Sequence, residues 1–535
     1  MAKKVLLIGW DAADWKIINP LLDAGLMPTL NRFINEGVMG NIGTLTPALS
    51  PMLWNSIATG KLPEKHGIHG FVEPIPDGNG IRAINSTSRK CKAIWNILSQ
   101  AGLRSNVVGW FASHPAEPIN GACVSNYFAL PPVGQMKHWP VMAQSVHPEQ
   151  MIQPLSEFRV HPMEIEGDHL DQLIPRGNEI DQTSETEQCR IDALRKNLAE
   201  CGTVHAVATW LMEKEPADFT AIYYNAIDII SHYFMPFHPP RMNGVDVKPF
   251  EIFKDVVTGV YRFHDMMLDR LLQLAGSDTT VIILSDHGFH SDHLRPTPGS
   301  PTFDDPTAWH RSHGIFCMKG PGVLKDERIY GTSLLDITPT ILTLFGLPVG
   351  EDMDGKALVQ AFATPPKVER IVSWEKVDGE AGMHPPDMQQ DPVAAQQALK
   401  QLVELGYIEA PSSDTQKSVQ SAVDQLQFHL GISLLHYGDP NKAVKIFEEL
   451  FASQPDEKRY AFPLAQAYFK ANQLSKTRTL LEKFLSKDNH SPAMELMLGS
   501  LLQAEGEIEA SLECFHRAEK SDPTLPNLQF HFGSA

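Results

Sequence analysis

Acidic and histidine side chains recur along this sequence directly after short apolar segments. The residues concerned are Asp11, Asp228, His232, Asp286 and His287. Asp228 and His232 are four positions apart, so on a helical turn they share one face and could hold one ion together. Carboxylate and imidazole groups are ligands that zinc, manganese and iron accept in proteins. These residues therefore predict a site for divalent metal ions.

A serine at a predicted helix start could supply a nucleophile. Residues 46–60 are typical of a loop that enters a helix, with Ser50 at the N-cap and Pro51 at the first helical position. A hydroxyl group there faces unpaired backbone N–H groups and the positive end of the helix dipole, which favour an alkoxide or a bound phosphate. It becomes a good nucleophile when a base or a metal activates it. Taken alone, a Ser-Pro pair at this position is more often a simple helix cap.

Three apolar segments are predicted to be the strands that position these residues. They are residues 4–10, 219–224 and 280–285. Continuous apolar runs of this length are typical of buried parallel strands. Strands that alternate with helices, such as the helix predicted at 28–36, indicate an α/β fold over residues 1–370. We expect a three-layer α/β/α sandwich around a mainly parallel sheet, in which the strand ends bring the metal ligands together at one edge.

Longer stretches around these residues resemble the alkaline phosphatase superfamily, and within it the type I phosphodiesterase/nucleotide pyrophosphatase group. The stretches are residues 5–14, 50–60 with Pro63, 66–68, 285–289, 310–311, 314–316, 320–322, 335–340, 346–348 and 353–355. The resemblance covers roughly residues 3–362 and implies an alkaline phosphatase-like fold with a two-metal site, usually occupied by Zn²⁺, with Mn²⁺ as the alternative. The implied ligands are Asp11, Ser50, Asp286 and His287 for one ion, and Asp228, His232 and His310 for the other.

The resemblance also implies a mechanism. Ser50 would attack phosphorus to give a phosphoseryl intermediate, which water then cleaves. Two ions about 3.5–4 Å apart would stabilise both the attacking and the leaving oxygen of such an in-line displacement.

Three positions bear on which branch of the superfamily the chain resembles. Nucleotide pyrophosphatases carry an asparagine three residues after the nucleophile, whereas this chain has Leu53, which argues against a nucleotide substrate. The residues after Ser50 also lack the C/S-x-P-x-R signature of sulfatases, which argues against that class. His310 and His313 compete for one ligand position, and the distance to Gly314 favours His310.

A less regular region interrupts the α/β pattern. Residues 130–190 are rich in proline, histidine and acidic residues, and they are predicted to be an insertion that caps the site. We expect the pocket for the leaving group to be built by this insertion and by side chains near Trp10, Trp54 and Asn225.

The C-terminal part has a different periodicity. Residues 371–423 are predicted to be a linker with one helix at 393–405, and residues 424–535 carry a 34-residue helical repeat. Turn residues recur in register at Gly438, Asn472 and Gly506. This pattern predicts three tetratricopeptide repeats, which would bind a protein partner or mediate self-association.

Composition narrows the range of partners and compartments. The net charge of −19 argues against binding to nucleic acid or to an anionic membrane, although a bound metal could still attract a phosphorylated small molecule. The six cysteines form no C-x-x-C pair, which is typical of a reducing compartment. No segment approaches the roughly 20 apolar residues of a membrane-spanning helix. We expect a cytoplasmic protein.

The sequence thus predicts a metal-dependent hydrolase of a phosphodiester or phosphomonoester. One alternative is a phosphomutase, which would retain the phosphoenzyme and exclude water. Another is a catalytically degenerate scaffold that acts through its repeats.

Overall fold

The structure is a computed structural model that describes residues 4–131, 139–300, 302–385, 388–404, 406–455, 458–486, 491–523, 525 and 527–534. The chain forms two compact units, Met1–Val419 and Gln420–Ala535. Within the described ranges, no helix is long and apolar enough to cross a lipid bilayer.

The first unit contains a large sheet and several short strand pairs. The strands are β1 Lys4–Trp10, β2 Val38–Gly43, β3 Val72–Pro74, β4 Ile81–Ala83, β5 Ser105–Val108, β6 Gly121–Val124, β7 Val146–His147, β8 Phe219–Tyr224, β9 Thr279–Leu284, β10 Gly288–Phe289, β11 His310–Arg311, β12 His313–Lys319, β13 Glu327–Arg328, β14 Thr332–Ser333, β15 Val349–Gly350 and β16 Arg370–Ile371. The large sheet has the order β13-β2-β12-β9-β1-β8-β5-β6-β7, and β14 also pairs with β2.

The centre of the sheet is parallel. β1 lies between β8 and β9 and runs parallel to both, with Val5 opposite Phe219 and Thr280. Further parallel pairs join β8 to β5 and β5 to β6, whereas β12 and β7 run antiparallel to their neighbours. The three strands predicted from the apolar segments are therefore confirmed as adjacent central strands, and the third begins and ends one residue earlier than predicted.

Helices cover both faces of this sheet. They are α1 Trp15–Asp23, α2 Pro28–Asn35, α3 Ser50–Thr59, α4 Pro63–His66, α5 Ile94–Gln100, α6 Ile152–Ser156, α7 Gly167–Asp171, α8 Glu185–Lys214, α9 Ala226–Phe234, α10 Val247–Phe253, α11 Val256–Ala275, α12 Ile337–Phe345 and α13 Pro392–Glu404. Leu6 and Ile8 of β1 pack into a core with α1, α2, α8, α9 and α11. Val5 and Leu7 point to the other face and pack with α3, α5 and α12. The continuous apolar sequence of β1 is thus explained by burial on both faces.

The segment predicted to be a linker differs from that expectation. β16 pairs with β15, α13 lies in the first unit, and the unit extends to Val419. Ile371, Trp374 and Leu402 pack against one of the two cores of the sheet, and burial of these side chains explains why the segment folds onto the unit. The predicted insertion contains β7, α6 and α7, and its last residues begin the long helix α8.

The second unit is helical. With the helix that leads into it, its helices are α14 Thr415–Tyr437, α15 Pro440–Ser453, α16 Lys458–Lys470, α17 Leu474–Leu485, α18 Pro492–Glu505, α19 Ile508–Ser521 and α20 Leu528–Ser534. Asn472 and Gly506 both have left-handed backbones in the turns between helices, with φ of 58° and 86°. Gly431 faces the ring of Phe447, and Gly499 faces the ring of Phe515 in the same way. These equivalent contacts are spaced by whole multiples of 34 residues along the chain.

Candidate metal centre and nucleophile

The first cluster of metal-binding groups lies at the carboxyl ends of β1 and β9. It consists of Asp11, Asp286 and His287, which are all buried, and their nearest ligand atoms lie within 4.8 Å of one another. His287 Nε2 is 3.5 Å from Asp11 Oδ1 and 3.6 Å from Asp286 Oδ2. The other ring nitrogen of His287, Nδ1, is 3.0 Å from the carbonyl of Gly288. Because a carbonyl only accepts hydrogen bonds, Nδ1 carries the proton and Nε2 presents its lone pair to the cluster.

The second cluster follows β8. Asp228 and His232 lie one turn apart on α9, and His310 reaches them from β11. Asp228 Oδ1 is 3.3 Å from His232 Nε2 and 3.5 Å from His310 Nε2. His310 Nδ1 donates to the carbonyl oxygen of Ala48 at 3.0 Å, so its Nε2 faces the cluster as an acceptor. All three residues fall in one group whose ligand atoms lie within 4.8 Å of one another.

His313, the alternative to His310, lies elsewhere. It is the exposed first residue of β12, and its Nδ1 contacts the hydroxyl of Ser312 at 3.1 Å. Within the described chain, the structure thus brings His310 and not His313 to the second cluster.

The two clusters are neighbours. The rings of His287 and His310 stack at 3.8 Å between centroids, with an angle of 21° between their planes. One ring belongs to each cluster, so six side chains from distant parts of the sequence form one continuous centre.

Ser50 lies beside the first cluster, one position further into its helix than predicted. Leu49, and not Ser50, occupies the N-cap, because the carbonyl oxygen of Leu49 already accepts from the N–H groups of Met52 and Leu53. Ser50 is therefore in the first turn of α3. Its buried hydroxyl donates to Asp11 Oδ1 at 3.4 Å. The structure brings the predicted nucleophile to the predicted ligands.

The electrostatics of the centre favour a cation. Burial, together with Asp286 and Asp228, raises the pKa of Asp11 well above its usual value, and burial raises the pKa of Asp286 to about 7. Burial, with His310 nearby, lowers the pKa of His287 to about 4. Burial opposes ionisation of Asp228, but His232 and His310 outweigh it and hold the pKa of Asp228 well below its usual value. Buried carboxylates this close together repel one another unless positive charge lies between them.

Several ligand atoms lack a protein partner. Asp228 Oδ1, Asp286 Oδ2 and His287 Nε2 are buried and make no hydrogen bond within the described part of the chain. Unpaired buried acceptors are rare in folded proteins, since each carries a desolvation cost. All three point into the two clusters. The donor set of carboxylates and imidazoles therefore fits divalent metal ions.

Three residues that were not predicted as metal ligands or as the nucleophile donate hydrogen bonds to carboxylates of the two clusters. The hydroxyl of Tyr223 and the indole N–H of Trp54 donate to Asp11 Oδ2, at 2.5 and 3.0 Å. The hydroxyl of Tyr407 donates to Asp228 Oδ2 at 2.5 Å. Trp54 lies within a stretch that carries the family resemblance, and Tyr223 lies at the end of a predicted strand. The sequence could therefore have identified both as candidate site residues. Tyr407 lies in the predicted linker, and no sequence signal identified it.

An aromatic pocket adjoins the centre. Its walls include Phe71, Phe111, Tyr127, Tyr223 and Tyr407, and none of its described lining residues is lysine, arginine or histidine.

The pocket differs in part from the expected one. Asn225 lines it as predicted, whereas Trp10 and Trp54 are not among its described lining residues, although Trp54 donates a hydrogen bond to Asp11, which is. Of the predicted insertion, only Leu130 is among the described lining residues. The pocket instead takes a wall from α8, through Glu200, Cys201 and Val204.

Comparison with known proteins gives a family match that covers five of the six residues of the two clusters and Ser50. Residues 5–295 match the model of the family described as Type I phosphodiesterase / nucleotide pyrophosphatase. The match covers more than half of the chain and includes Ser50 and both carboxylates of the first cluster. No curated protein matches the chain.

Solved structures with a similar backbone fold include the following three proteins. Phosphonoacetate hydrolase from Sinorhizobium meliloti is 16% identical with a TM-score of 0.34, and the match covers 56% of this chain and 59% of that one. Murine ectonucleotide pyrophosphatase/phosphodiesterase 5 is 13% identical with a TM-score of 0.37, over 67% and 98% of the two chains. A 2-O GAG sulfatase is 12% identical with a TM-score of 0.44, over 69% and 76%. This chain thus spans about three fifths of the length of the phosphonoacetate hydrolase.

Proposed function

This chain belongs to the type I phosphodiesterase/nucleotide pyrophosphatase family, a family of hydrolases that act on ester bonds, and from that premise we propose that it hydrolyses a phosphate ester. The observation that carries the proposal is the position of the Ser50 hydroxyl, 3.4 Å from Asp11 Oδ1 and beside two adjoining clusters of metal-binding groups. A buried hydroxyl at this place has both a proton acceptor and a site for the charge of a phosphoryl group.

The chain's own residues act as follows. Ser50 Oγ attacks phosphorus and its proton passes to Asp11, while the bond from phosphorus to the alcohol oxygen breaks and the alcohol leaves with a proton from solvent. Water then attacks phosphorus and gives up a proton to solvent, the bond to Ser50 Oγ breaks, and Ser50 recovers its proton from Asp11, which releases phosphate from a monoester or a monoester from a diester. Divalent cations, when bound, supply positive charge that favours the serine alkoxide and stabilises the phosphoryl oxygens.

We propose two ions, one in each cluster, with Zn²⁺ as the natural ion and Mn²⁺ as a substitute. The donor set supports this choice, because three carboxylates and three imidazoles suit borderline cations rather than Ca²⁺ or Mg²⁺. Chelation should abolish turnover, and added Zn²⁺ or Mn²⁺ should restore it.

The proposed substrate is a phosphorylated small molecule whose alcohol part is uncharged. The pocket supports this part of the proposal, since six aromatic side chains line it and its described lining residues include no basic group. Such walls bind an apolar or aromatic group well and leave a second phosphate without a counter-charge.

The decisive assay compares Ser50→Ala with Ser56→Ala. Ser56 lies on the same helix, but its hydroxyl contacts His66 Nε2 at 2.9 Å, away from the clusters. With a chromogenic monoester and diester and added Zn²⁺ or Mn²⁺, Ser50→Ala should lower kcat by a factor of roughly 10³ or more, and Ser56→Ala should retain turnover. Turnover in ¹⁸O-labelled water should place the label in the released phosphate. If wild-type protein turns over no ester, or Ser50→Ala equals wild type, the proposed function is wrong.

We further propose that residues 424–535 are three tetratricopeptide repeats that bind a protein or a second copy of the chain. The 34-residue spacing of Gly431, Ala465 and Gly499 along one side of successive helix pairs supports the repeat. Phe447 and Phe515 face the two glycines, and Leu481 at the same register packs in one core with Ala465. The molar mass of the full chain in solution, measured by static light scattering, tests whether the chain self-associates.

A further inference from the structure

Tyr407 connects the metal centre with a segment that lies beyond the family-matched residues. Its hydroxyl donates to Asp228 Oδ2 at 2.5 Å, and its ring stacks on Phe71 with 4.5 Å between ring centroids. The ring also approaches that of His232 edge-on, at 6.1 Å. Tyr407 lies more than 100 positions after the end of the family match. It nevertheless contacts two members of the second cluster, Asp228 and His232.

The backbone fixes the position of this tyrosine. Helix α13 ends at Glu404, and Gly406 has a left-handed backbone with φ of 76°. The N–H of Gly406 donates to the carbonyl of Val403, and the N–H of Tyr407 donates to the carbonyl of Leu402. This pair of bonds is the Schellman arrangement, in which a glycine ends a helix and the next side chain packs back onto its last turn. Tyr407 is therefore held by the end of a helix and not by a free loop.

The two clusters share one design. In each, an aspartate directs one oxygen towards imidazole nitrogens and the other towards a tyrosine hydroxyl. Asp11 Oδ1 faces His287 while Oδ2 accepts from Tyr223. In the same way, Asp228 Oδ1 faces His232 at 3.3 Å while Oδ2 accepts from Tyr407 at 2.5 Å.

We propose that Tyr407 is the positioning residue of the second metal site, which holds Asp228 Oδ1 towards His232 and His310. The proposal rests on the proposed function, since it assumes that the clusters bind cations. A hydrogen bond to the oxygen that does not face the ion prevents rotation of the carboxylate and satisfies its second acceptor. Without the hydrogen bond from Tyr407, the carboxylate of Asp228 loses its only hydroxyl donor among the described residues and can turn away from His232 and His310.

Metal titration of the chelated full-length protein tests this inference without an activity assay. Wild type should bind two Zn²⁺ ions in calorimetry. Tyr407→Phe should weaken one binding step by 10- to 100-fold and leave the other unchanged, the range typical for loss of a group that orients a ligand. Tyr223→Phe should instead weaken the other step. Mn²⁺ serves as a second probe with the same expected pattern.

Single-site backgrounds assign the affected step. In a His287→Ala background only the second cluster should bind, and Tyr407→Phe should weaken that binding. In a His232→Ala background only the first cluster should bind, and Tyr407→Phe should leave its affinity unchanged.

Ile408→Ala is the control for general loosening of the segment. Ile408 packs against the apolar core beside Tyr407 but carries no hydroxyl. It should leave both binding steps at wild-type affinity. The proposal is overturned if Tyr407→Phe binds both ions as wild type does, weakens both steps alike, or is matched by Ile408→Ala. If wild type itself binds no ion, the proposed function fails together with it.

Discussion

Glu200 is a buried carboxyl group in the wall of the pocket that belongs to neither cluster of candidate metal ligands. It accepts a hydrogen bond from Asn225 Nδ2 at 3.0 Å, and burial raises the pKa of Glu200 from 4.5 to about 7. When an acid has a higher pKa in the folded protein than in the unfolded chain, the unfolded chain loses the proton at a lower pH. Raising the pH through this range therefore favours the unfolded chain. Stability should therefore fall as pH rises from about 4.5 through 7, by on the order of 3 kcal/mol in total.

Glu200→Gln should remove this pH dependence. Glutamine keeps the acceptor for Asn225 and carries no charge, so the variant should gain only a small part of its advantage over wild type at pH 5 and nearly all of it at pH 8. All nine tryptophans precede residue 375, so the urea transition of tryptophan fluorescence in chelated protein reports on the first unit alone. Equal differences between variant and wild type at both pH values would contradict the assigned pKa.

Residue types and strand ends made much of the centre predictable. Asp11 and Asp286 each follow an apolar strand, and ligands of parallel sheets lie at such ends. His310 required the family resemblance, because it lies on a two-residue strand without periodicity. Tyr407 could not be predicted, since only the fold brings it to Asp228 from a position 179 residues later in the chain.

At the scale of elements, β1 makes room for α3 at one glycine. A Cβ atom on Gly9 would lie 2.5 Å from the ring of Trp54, whose indole N–H donates to Asp11. Gly9→Ala should therefore displace Trp54, lower the free energy of unfolding by about 1–3 kcal/mol, and weaken Zn²⁺ binding at the first cluster. Urea titration followed by tryptophan fluorescence and calorimetric Zn²⁺ titration measure the two effects.

Gly43→Ala is the matched control, since Gly43 lies in β2 of the same sheet. A Cβ atom there would come no closer than 3.6 Å to its nearest neighbour, the carbonyl oxygen of Thr332. The variant should bind Zn²⁺ as wild type does. A loss of affinity as large as that of Gly9→Ala would show that contact with Trp54 is not the cause.

Elements with a strong pattern were predictable and short ones were not. The strands at 4–10 and 219–224 have continuous apolar sequences and have the predicted bounds. Pairs such as β10 with β11 are two residues long, so they carry no periodicity and depend on tertiary contacts. The start of α3 was predicted one residue late because a serine before a proline fits the cap, whereas the carbonyl of Leu49 already accepts the first helical hydrogen bonds.

At the scale of the whole molecule, every proposed metal ligand lies in the first unit. A ligand that binds only the folded state stabilises the unit that contains its site, by about 2.7 kcal/mol at a hundredfold excess over Kd. Hydrogen exchange with and without Zn²⁺ should therefore slow by up to about 100-fold in peptides of β1, β8 and β9. Peptides from residues 424–535 should exchange at the same rate in both conditions. Equal protection in both units would contradict a site confined to the first.

Sequence patterns could not predict the order of the strands in the sheet. Apolar runs identify buried strands, but they do not say that β1 lies between β8 and β9, because pairing partners are separated by more than 200 residues. For a related reason, residues 371–419 were predicted as part of a linker although they pack on the first unit. Their polar composition hid the few side chains, such as Trp374 and Leu402, that anchor them.

The spacing of the centre along the chain has a consequence for biosynthesis. Asp11 leaves the ribosome about 300 residues before His310, and Tyr407 follows His310 by about a hundred residues. Translation proceeds from the N-terminus at about 5–20 residues per second, so tens of seconds separate the first ligand from the last. A nascent chain therefore presents isolated carboxylates before it presents the full set of proposed ligands, and we expect it to capture the proposed ions only after His310 has been made.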